Sequence, residues 1–191
     1  MERLSDNYYV EKIREGEVAC FAPLLERYSK QVFSLIIKIV GNVEDAEELT
    51  QDVFVKAYGS ISSFRGDSSF STWIYRIAYN IAISATRKKT ISFIPVDENV
   101  VSDLPDEYDD VFFENDESDT RIDSLNCALE QLLPEERAMI LLFYKDNKSM
   151  DDIAFITKLT ETNVKTKIFR IRKKLFVLIK AMEKKEYGIE K

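Results

Sequence analysis

The sequence predicts an all-α protein: an N-terminal helical bundle and a C-terminal helix-turn-helix, joined by an acidic linker. Five Gly and four Pro among 191 residues are few for a turn-rich β architecture. Apolar residues instead recur three and four positions apart, which is the helical period. Residues 96–125 hold 12 acidic residues and one basic residue, in a chain of net charge -7. Such self-repelling segments stay extended, so we expect domains at 1–95 and 126–191 with 96–125 as the linker.

The N-terminal domain is predicted from amphipathic stretches and their end signals. The first helix should begin just before Pro23, because proline is tolerated in a first turn. Gly41 should end it, and Asn42 or Glu44 should cap the next. A loop is expected over 60–69, followed by a helix from Ser71 or Thr72 to about Arg87. The inward face of the first helix is predicted to carry Phe21, Leu24, Leu25, Tyr28, Val32, Leu35, Ile36 and Ile39.

The C-terminal domain shows three helix starts. Residues 133–136, LPEE, place a proline and two acids in a first turn. Residues 149–152, SMDD, resemble a capping box, and Thr160 can cap the final helix. Two short helices joined in this way match a helix-turn-helix. The final helix should pack inward through Val164, Ile168, Ile171 and Leu175.

The composition excludes several classes of function. There is no histidine, and the only cysteines, Cys20 and Cys127, are far apart. We therefore expect no metal, cofactor or catalytic site, and a reducing compartment. No signal-like N-terminus or long apolar run occurs, so the protein is expected to be cytoplasmic.

The segment 64–89 combines aromatic and basic residues. It holds five aromatic residues, five basic residues and one acid, and aromatic rings beside positive charge suit the bases and phosphates of a single strand. The alternative is that Trp73, Ile77 and Ile81 belong to the core. We interpret Ile77 and Ile81 as core and leave Trp73 open between the two roles.

The final helix and an acidic helix start offer two further surfaces. A basic helix that follows a tight turn can enter the major groove, although a lone Lys-rich helix is more often a solvated face. The acids at 44–52 are either a solvated helix start or a docking face for a basic partner.

With these features together, the chain resembles a bacterial RNA polymerase sigma factor of the sigma-70 family, in its extracytoplasmic-function (ECF) group. Residues 45–58 and 63–80 are similar to the family's second conserved region, and residues 133–175 to its fourth. No segment resembles the first or third region, as is typical of the ECF group. The implied partners are core RNA polymerase, through its largest-subunit clamp coiled coil and its flap, promoter DNA and an anti-sigma factor.

The resemblance also implies residue roles, all of them expectations. The helix that docks on the polymerase clamp matches Asp45, Glu48, Leu49, Gln51 and Asp52. The loop and helix that capture the non-template strand of the -10 element match Phe64, Arg65, Ser68, Trp73, Arg76 and Asn80, with phosphates held by Arg87, Lys88 and Lys89. The -35 recognition helix matches Lys165, Thr166, Lys167, Phe169, Arg170, Arg172 and Lys173.

Two other classes of protein remain open on the residues alone. A stand-alone DNA-binding regulator shares the helix-turn-helix but gives no role to the segment 64–89, and would bind duplex promoter DNA without polymerase. A helical enzyme would need a clustered acid–base set, and the sequence offers none that resembles a known motif.

Overall fold

The computed structural model describes residues 4–88 and 119–186, and every regular element within them is a helix. The predicted all-α fold is therefore confirmed. The N-terminal unit contains four α-helices: α1 (Asp6–Arg14), α2 (Ala22–Val40), α3 (Val43–Ser60) and α4 (Phe70–Lys88). Short 3-10 turns at Val18–Phe21 and Ile61–Ser63 connect them.

Helix α1 was not predicted from the sequence. Its N-cap is Ser5, whose side chain accepts a hydrogen bond from the Tyr8 backbone N–H, and it buries Val10 and Ile13. Although the segment is short and mostly polar, it contains two signals for a helix: the capping serine and apolar residues three positions apart.

The ends of α2, α3 and α4 follow local signals. Gly41 adopts φ 73° and its N–H reaches the Ile37 carbonyl at 2.9 Å, while the Asn42 side chain caps α3. For α4 the predicted start was slightly late. Ser69 Oγ accepts from the Thr72 N–H at 3.0 Å, so the helix begins at Phe70.

The C-terminal unit also has four helices: α5 (Asp119–Glu130), α6 (Pro134–Tyr144), α7 (Met150–Thr157) and α8 (Glu161–Glu186). Helix α5 starts inside the segment 96–125 that we predicted as linker, because its apolar residues pack against α8. The rest of the predicted linker, up to residue 118, lies outside the described residues.

The helix-turn-helix forms as the sequence predicts. Ser149 and Asp152 make the reciprocal bonds of a capping box at the start of α7, with distances of 3.1 and 3.3 Å. Lys158 takes the left-handed turn conformation, φ 60°, that glycine often supplies. Thr160 Oγ1 then accepts from the Asn163 N–H at 3.3 Å and starts α8.

The two units pack against each other. Helix α4 lies against α7, and α2 lies against α6, so buried residues of both units form one hydrophobic cluster. None of the helices in the described ranges is both long and apolar enough to cross a bilayer.

Candidate nucleic-acid interface

The loop before α4 folds its aromatic side chains inward. Phe64 and Phe70 are only 4% and 1% exposed. The ring centroids of Phe64, Phe70 and Trp73 lie 5.2 to 5.9 Å apart in the three pairs. Such tilted and edge-on pairs stabilise a core cluster. Of the three rings only Trp73 keeps part of its surface exposed.

This loop is held by a residue that sequence reasoning missed. The Arg14 guanidinium, at the end of α1, donates to the carbonyl oxygens of Phe64 and Ile61. Gly66, at φ 80°, allows the chain to turn back toward α4. Helix α1 thus positions the segment that leads into the predicted strand-capture helix.

The polar residues of this region fall into two groups. Arg65 is exposed and Ser68 is half-buried, so both can still reach a ligand. The Asn80 amide instead donates to the Arg76 carbonyl of its own helix at 2.6 Å. The structure leaves the predicted role of Asn80 open, because this bond must break before the amide can read a base. The Lys88 side chain and Lys89 lie outside the described residues.

The two arginines of α4 face the C-terminal unit. The Arg76 guanidinium stacks on the Phe155 ring of α7, 4.5 Å from its centroid. Arg87 forms a salt bridge with Glu135 of α6 at 3.4 Å, although its side chain remains largely exposed. Arg76 is therefore stacked against the C-terminal unit, whereas Arg87 makes only a surface salt bridge and stays accessible.

Hydrogen bonds join the start of α4 to the first turn of α7 and to the segment just before it. Thr72 Oγ1 donates to Asp152 Oδ1 at 2.7 Å, and Thr72 is only 1% exposed. Lys148 Nζ donates to Ser71 Oγ at 2.6 Å and lies 4.5 Å from the Tyr75 ring centroid. We call the residues Ser71, Thr72, Tyr75, Asp146, Lys148 and Asp152 the polar clasp.

Burial and hydrogen bonding shift the pKa values of the titratable groups in the polar clasp. Burial raises the pKa of Tyr75 and of Asp146, which hydrogen-bond to each other, and burial lowers the pKa of Lys148. Burial alone would also raise the pKa of Asp152, but hydrogen bonds from Thr72 and Ser149 outweigh it and lower that pKa. The clasp therefore depends on good hydrogen-bond geometry, because its charged groups have lost solvent.

The second predicted DNA surface is open. Along α8, the side chains of Lys165, Thr166, Lys167 and Arg170 are exposed. Val164, Ile168, Ile171 and Leu175 are buried, as predicted, with exposures of 3% or less. The N-terminal half of α8 thus presents three basic side chains and a hydroxyl to the outside, with Lys165 paired to Glu161 of the same helix at 2.7 Å.

Three other residues predicted on this surface lie at its edge or inside. Phe169 and Arg172 are half-buried, and Lys173 is only 8% exposed. Lys173 Nζ lies 4.5 Å from the Phe169 ring centroid, which satisfies the charge locally. Helical spacing places positions 169, 172 and 173 on one flank, next to the inward stripe. The helical period of the sequence could therefore have predicted their partial burial.

The predicted docking helix α3 carries an exposed acidic face. Glu48, Gln51 and Asp52 are exposed, whereas Asp45 and Leu49 are half-buried. Sequence reasoning missed the apolar continuation of this face. Val55 and Tyr58, one and two turns further on, are 73% and 40% exposed. Exposed apolar side chains that are bordered by polar residues can form a protein docking surface.

Together these features give two helical units, with an exposed basic face on the last helix of a helix-turn-helix and an exposed acidic and apolar face on α3. Residues 24–91 match the family model described as Sigma-70 region 2, and residues 122–175 match that of Sigma-70 region 4. The chain is 32% identical over 182 residues to the ECF RNA polymerase sigma-E factor of Haemophilus influenzae, covering 90% of this chain and 93% of that protein. It is 30% identical over 172 residues to the ECF RNA polymerase sigma factor SigW of Bacillus subtilis, covering 87% and 92%. The chain belongs to the ECF group of the sigma-70 family of RNA polymerase sigma factors.

Solved structures share the fold. CnrH, in complex with the cytosolic domain of CnrY, matches with a TM-score of 0.67 at 20% identity, covering 92% of this chain and 97% of that one. The sigma factor RpoE, in complex with the anti-sigma factor NepR from Bartonella quintana, matches with a TM-score of 0.62 at 23% identity, covering 84% and 96%.

Proposed function

We propose that this sigma factor binds core RNA polymerase through the exposed face of α3 and directs it to promoters. In this proposal α4 and its preceding loop capture the non-template strand of the -10 element, and α8 reads the -35 element as duplex. The protein itself performs no catalysis, since its role is to place the polymerase.

The observation that carries the proposal is the outward face of α8. Lys165, Lys167 and Arg170 are exposed on a helix that a capped α7 and a tight turn hold in place. An exposed basic helix in this position can lie in a major groove, where Lys and Arg reach guanine edges and phosphates.

Two weak DNA contacts become one strong contact when polymerase holds both units. The net charge of -7 opposes binding of the free chain to DNA. Once the units are held at promoter spacing, the second contact forms at a high effective concentration.

We also propose an anti-sigma partner for this chain. Two structures that share its fold were solved with partners, NepR in one and the cytosolic domain of CnrY in the other. A partner that covers α4 or the exposed face of α3 would prevent initiation.

Reconstituted transcription tests the proposal. Core polymerase with this protein should give run-off transcripts and a promoter footprint that core polymerase alone does not give. A K165A/R170A double variant should retain polymerase binding but lose most of the footprint over the -35 element. Transcription that does not depend on the protein, or nanomolar binding to duplex promoter DNA without polymerase, would contradict it.

A further inference from the structure

The start of α1 is tied to the aromatic cluster around Trp73 by way of α2. The Asp6 carboxylate accepts a hydrogen bond from the Arg27 guanidinium and another from the Tyr28 hydroxyl. The Tyr28 ring in turn packs against Phe70, with the two ring centroids 5.6 Å apart. Because two side chains of α2 bind the same carboxylate, the first turn of α1 is fixed relative to α2.

The end of α1 is tied to the backbone that enters the loop. The Arg14 guanidinium donates to the carbonyl oxygen of Phe64 and, at 3.4 Å, to that of Ile61. The Phe64 N–H also donates to the Ile61 carbonyl, at 3.2 Å, and so closes the 3-10 turn between these residues. A guanidinium serves two acceptors at once because its donors form a rigid planar fork, which the ammonium of lysine does not reproduce.

These backbone bonds set the direction of the side chains that follow. The Phe64 ring turns inward, where it is 4% exposed and its centroid lies 5.2 Å from that of Trp73. Arg65, the next residue along the chain, is exposed, and Trp73 keeps part of its ring exposed above Phe64. The position of Phe64 therefore determines which part of the Trp73 ring a ligand can reach.

We propose that Arg14 is a positioning residue for strand capture: its guanidinium holds Phe64 under Trp73, so that the rest of the Trp73 ring faces the strand. The inference rests on the proposed function for the role of the loop and α4. Helix α1 precedes residue 24, where the match to the Sigma-70 region 2 model begins, so neither family match includes Arg14. In this role Arg14 acts through Phe64 and need not touch the DNA.

The alternative is that Arg14 only stabilises the fold. Arg14 is exposed, and the two carbonyls can accept hydrogen bonds from water once its side chain is removed. We therefore expect Arg14→Gln to release the loop locally and to leave the urea midpoint of the whole protein close to that of the wild type.

Two further variants complete the set. Lys12→Gln is the matched control, since it removes one positive charge from the same helix. Lys12 pairs with Glu15 and Glu17, at 2.8 and 3.1 Å, and exposed pairs of this kind contribute little to stability. Arg14→Lys is the conservative variant, because it keeps the charge and can still donate to one of the two carbonyls.

Trp73 fluorescence supplies the first readout, because Trp73 is the only tryptophan in the sequence. In the full-length protein, Arg14→Gln should shift the emission to longer wavelength and increase quenching by acrylamide, since a displaced Phe64 ring exposes more of the indole to water. Arg14→Lys should give a smaller shift, and Lys12→Gln should match the wild type.

Strand binding by the reconstituted holoenzyme supplies the second readout. The probe is a short fluorescein-labelled single strand with the non-template sequence of the footprinted -10 element, compared with a scrambled strand of the same composition. Arg14→Gln should weaken binding of the -10 strand roughly 3- to 10-fold, and Arg14→Lys should lie between it and the wild type. Binding of core polymerase and of the -35 duplex should stay unchanged.

The outcomes separate this inference from the proposed function. Equal fluorescence and equal strand binding for Arg14→Gln and Lys12→Gln would overturn the positioning role and leave the proposed function intact. A shifted emission with full strand binding would overturn it as well, because the position of Trp73 would then not matter. A parallel loss for the -10 strand and the -35 duplex would show a purely structural role. If the wild-type holoenzyme does not prefer the -10 strand to the scrambled one, the proposed role of α4 fails, and this inference fails with it.

Discussion

The guanidinium of Arg76 lies 4.5 Å from the centroid of the Phe155 ring, and so joins the predicted strand-capture helix to the helix-turn-helix. A residue expected to contact DNA is thus occupied by an aromatic ring of the same chain. Among residues 4–88 and 119–186 nothing covers the outward face of α8 in this way, and within this part of the chain the two predicted DNA surfaces differ in exposure.

Arg170 on the exposed face of α8 should contribute to sequence discrimination at the -35 element. If its side chain contacts a base, Arg170→Ala should reduce the preference for the cognate sequence by roughly 1–3 kcal/mol. Competition binding with polymerase and single-base promoter variants measures this preference. An equal loss for every sequence would show a phosphate contact instead.

Val55 should contribute to polymerase docking. Because its side chain is 73% exposed, Val55→Arg should leave the free energy of unfolding nearly unchanged. The same change puts a charge where an apolar contact is expected and should weaken binding of core polymerase by roughly ten-fold or more. Titration of labelled protein with core polymerase measures the affinity, and Ile122→Arg is the control. Equal affinities for the two variants would exclude Val55 from the docking face.

Thr72 should stabilise the packing of the two units. Thr72→Val removes the hydroxyl that donates to Asp152 while keeping the shape, and should lower the free energy of unfolding by about 1–2 kcal/mol. Thr50→Val is the matched control, since its hydroxyl bonds only within α3, to Ala46. Urea unfolding of both variants gives the comparison. A loss no larger than that of Thr50→Val would contradict a contribution from the contact between units.

Asp146 should make stability depend on pH. Burial raises the pKa of this carboxyl, so the folded chain binds its proton more tightly than the unfolded chain does. Its contribution to stability is therefore present below the unfolded pKa and is lost as the pH rises through the folded pKa. Asp146→Asn should consequently be more stable than the wild type at pH 7, and this advantage should shrink as the pH falls toward 4.

Thermal unfolding between pH 4 and pH 8 measures the effect of Asp146. Asp67→Asn is the control, because Asp67 is exposed in the loop before α4 and its neutralisation removes no buried charge. An advantage of Asp146→Asn that stays constant across this range would show that the amide acts through packing alone.

Much of the fold could be predicted because its signals are local. The caps at Asn42, Ser149 and Thr160 act on residues three positions away, and the structure confirms each of them. The inward stripe of α8 follows from the helical period in the same way. Helix α1 was missed because its few apolar residues gave a short pattern.

The candidate sites were harder to predict, because exposure depends on partners that are distant in sequence. Phe64 looked accessible in a polar loop, yet Arg14, 50 residues earlier, holds its carbonyl and the aromatic cluster buries its ring. Lys173 looked like one more basic residue of α8, yet its flank of the helix is covered.

The sequence by itself determined six of the eight α-helices that the structure describes, several of their caps, the basic face of α8 and the family, because each depends on residue types at short, regular spacing. Only the tertiary structure decided which predicted DNA contacts are covered. Thr72 and Asp152 are 80 residues apart, and their contact depends on how the two units pack. That packing balances desolvated charges against hydrogen bonds, and no local pattern of residues encodes this balance.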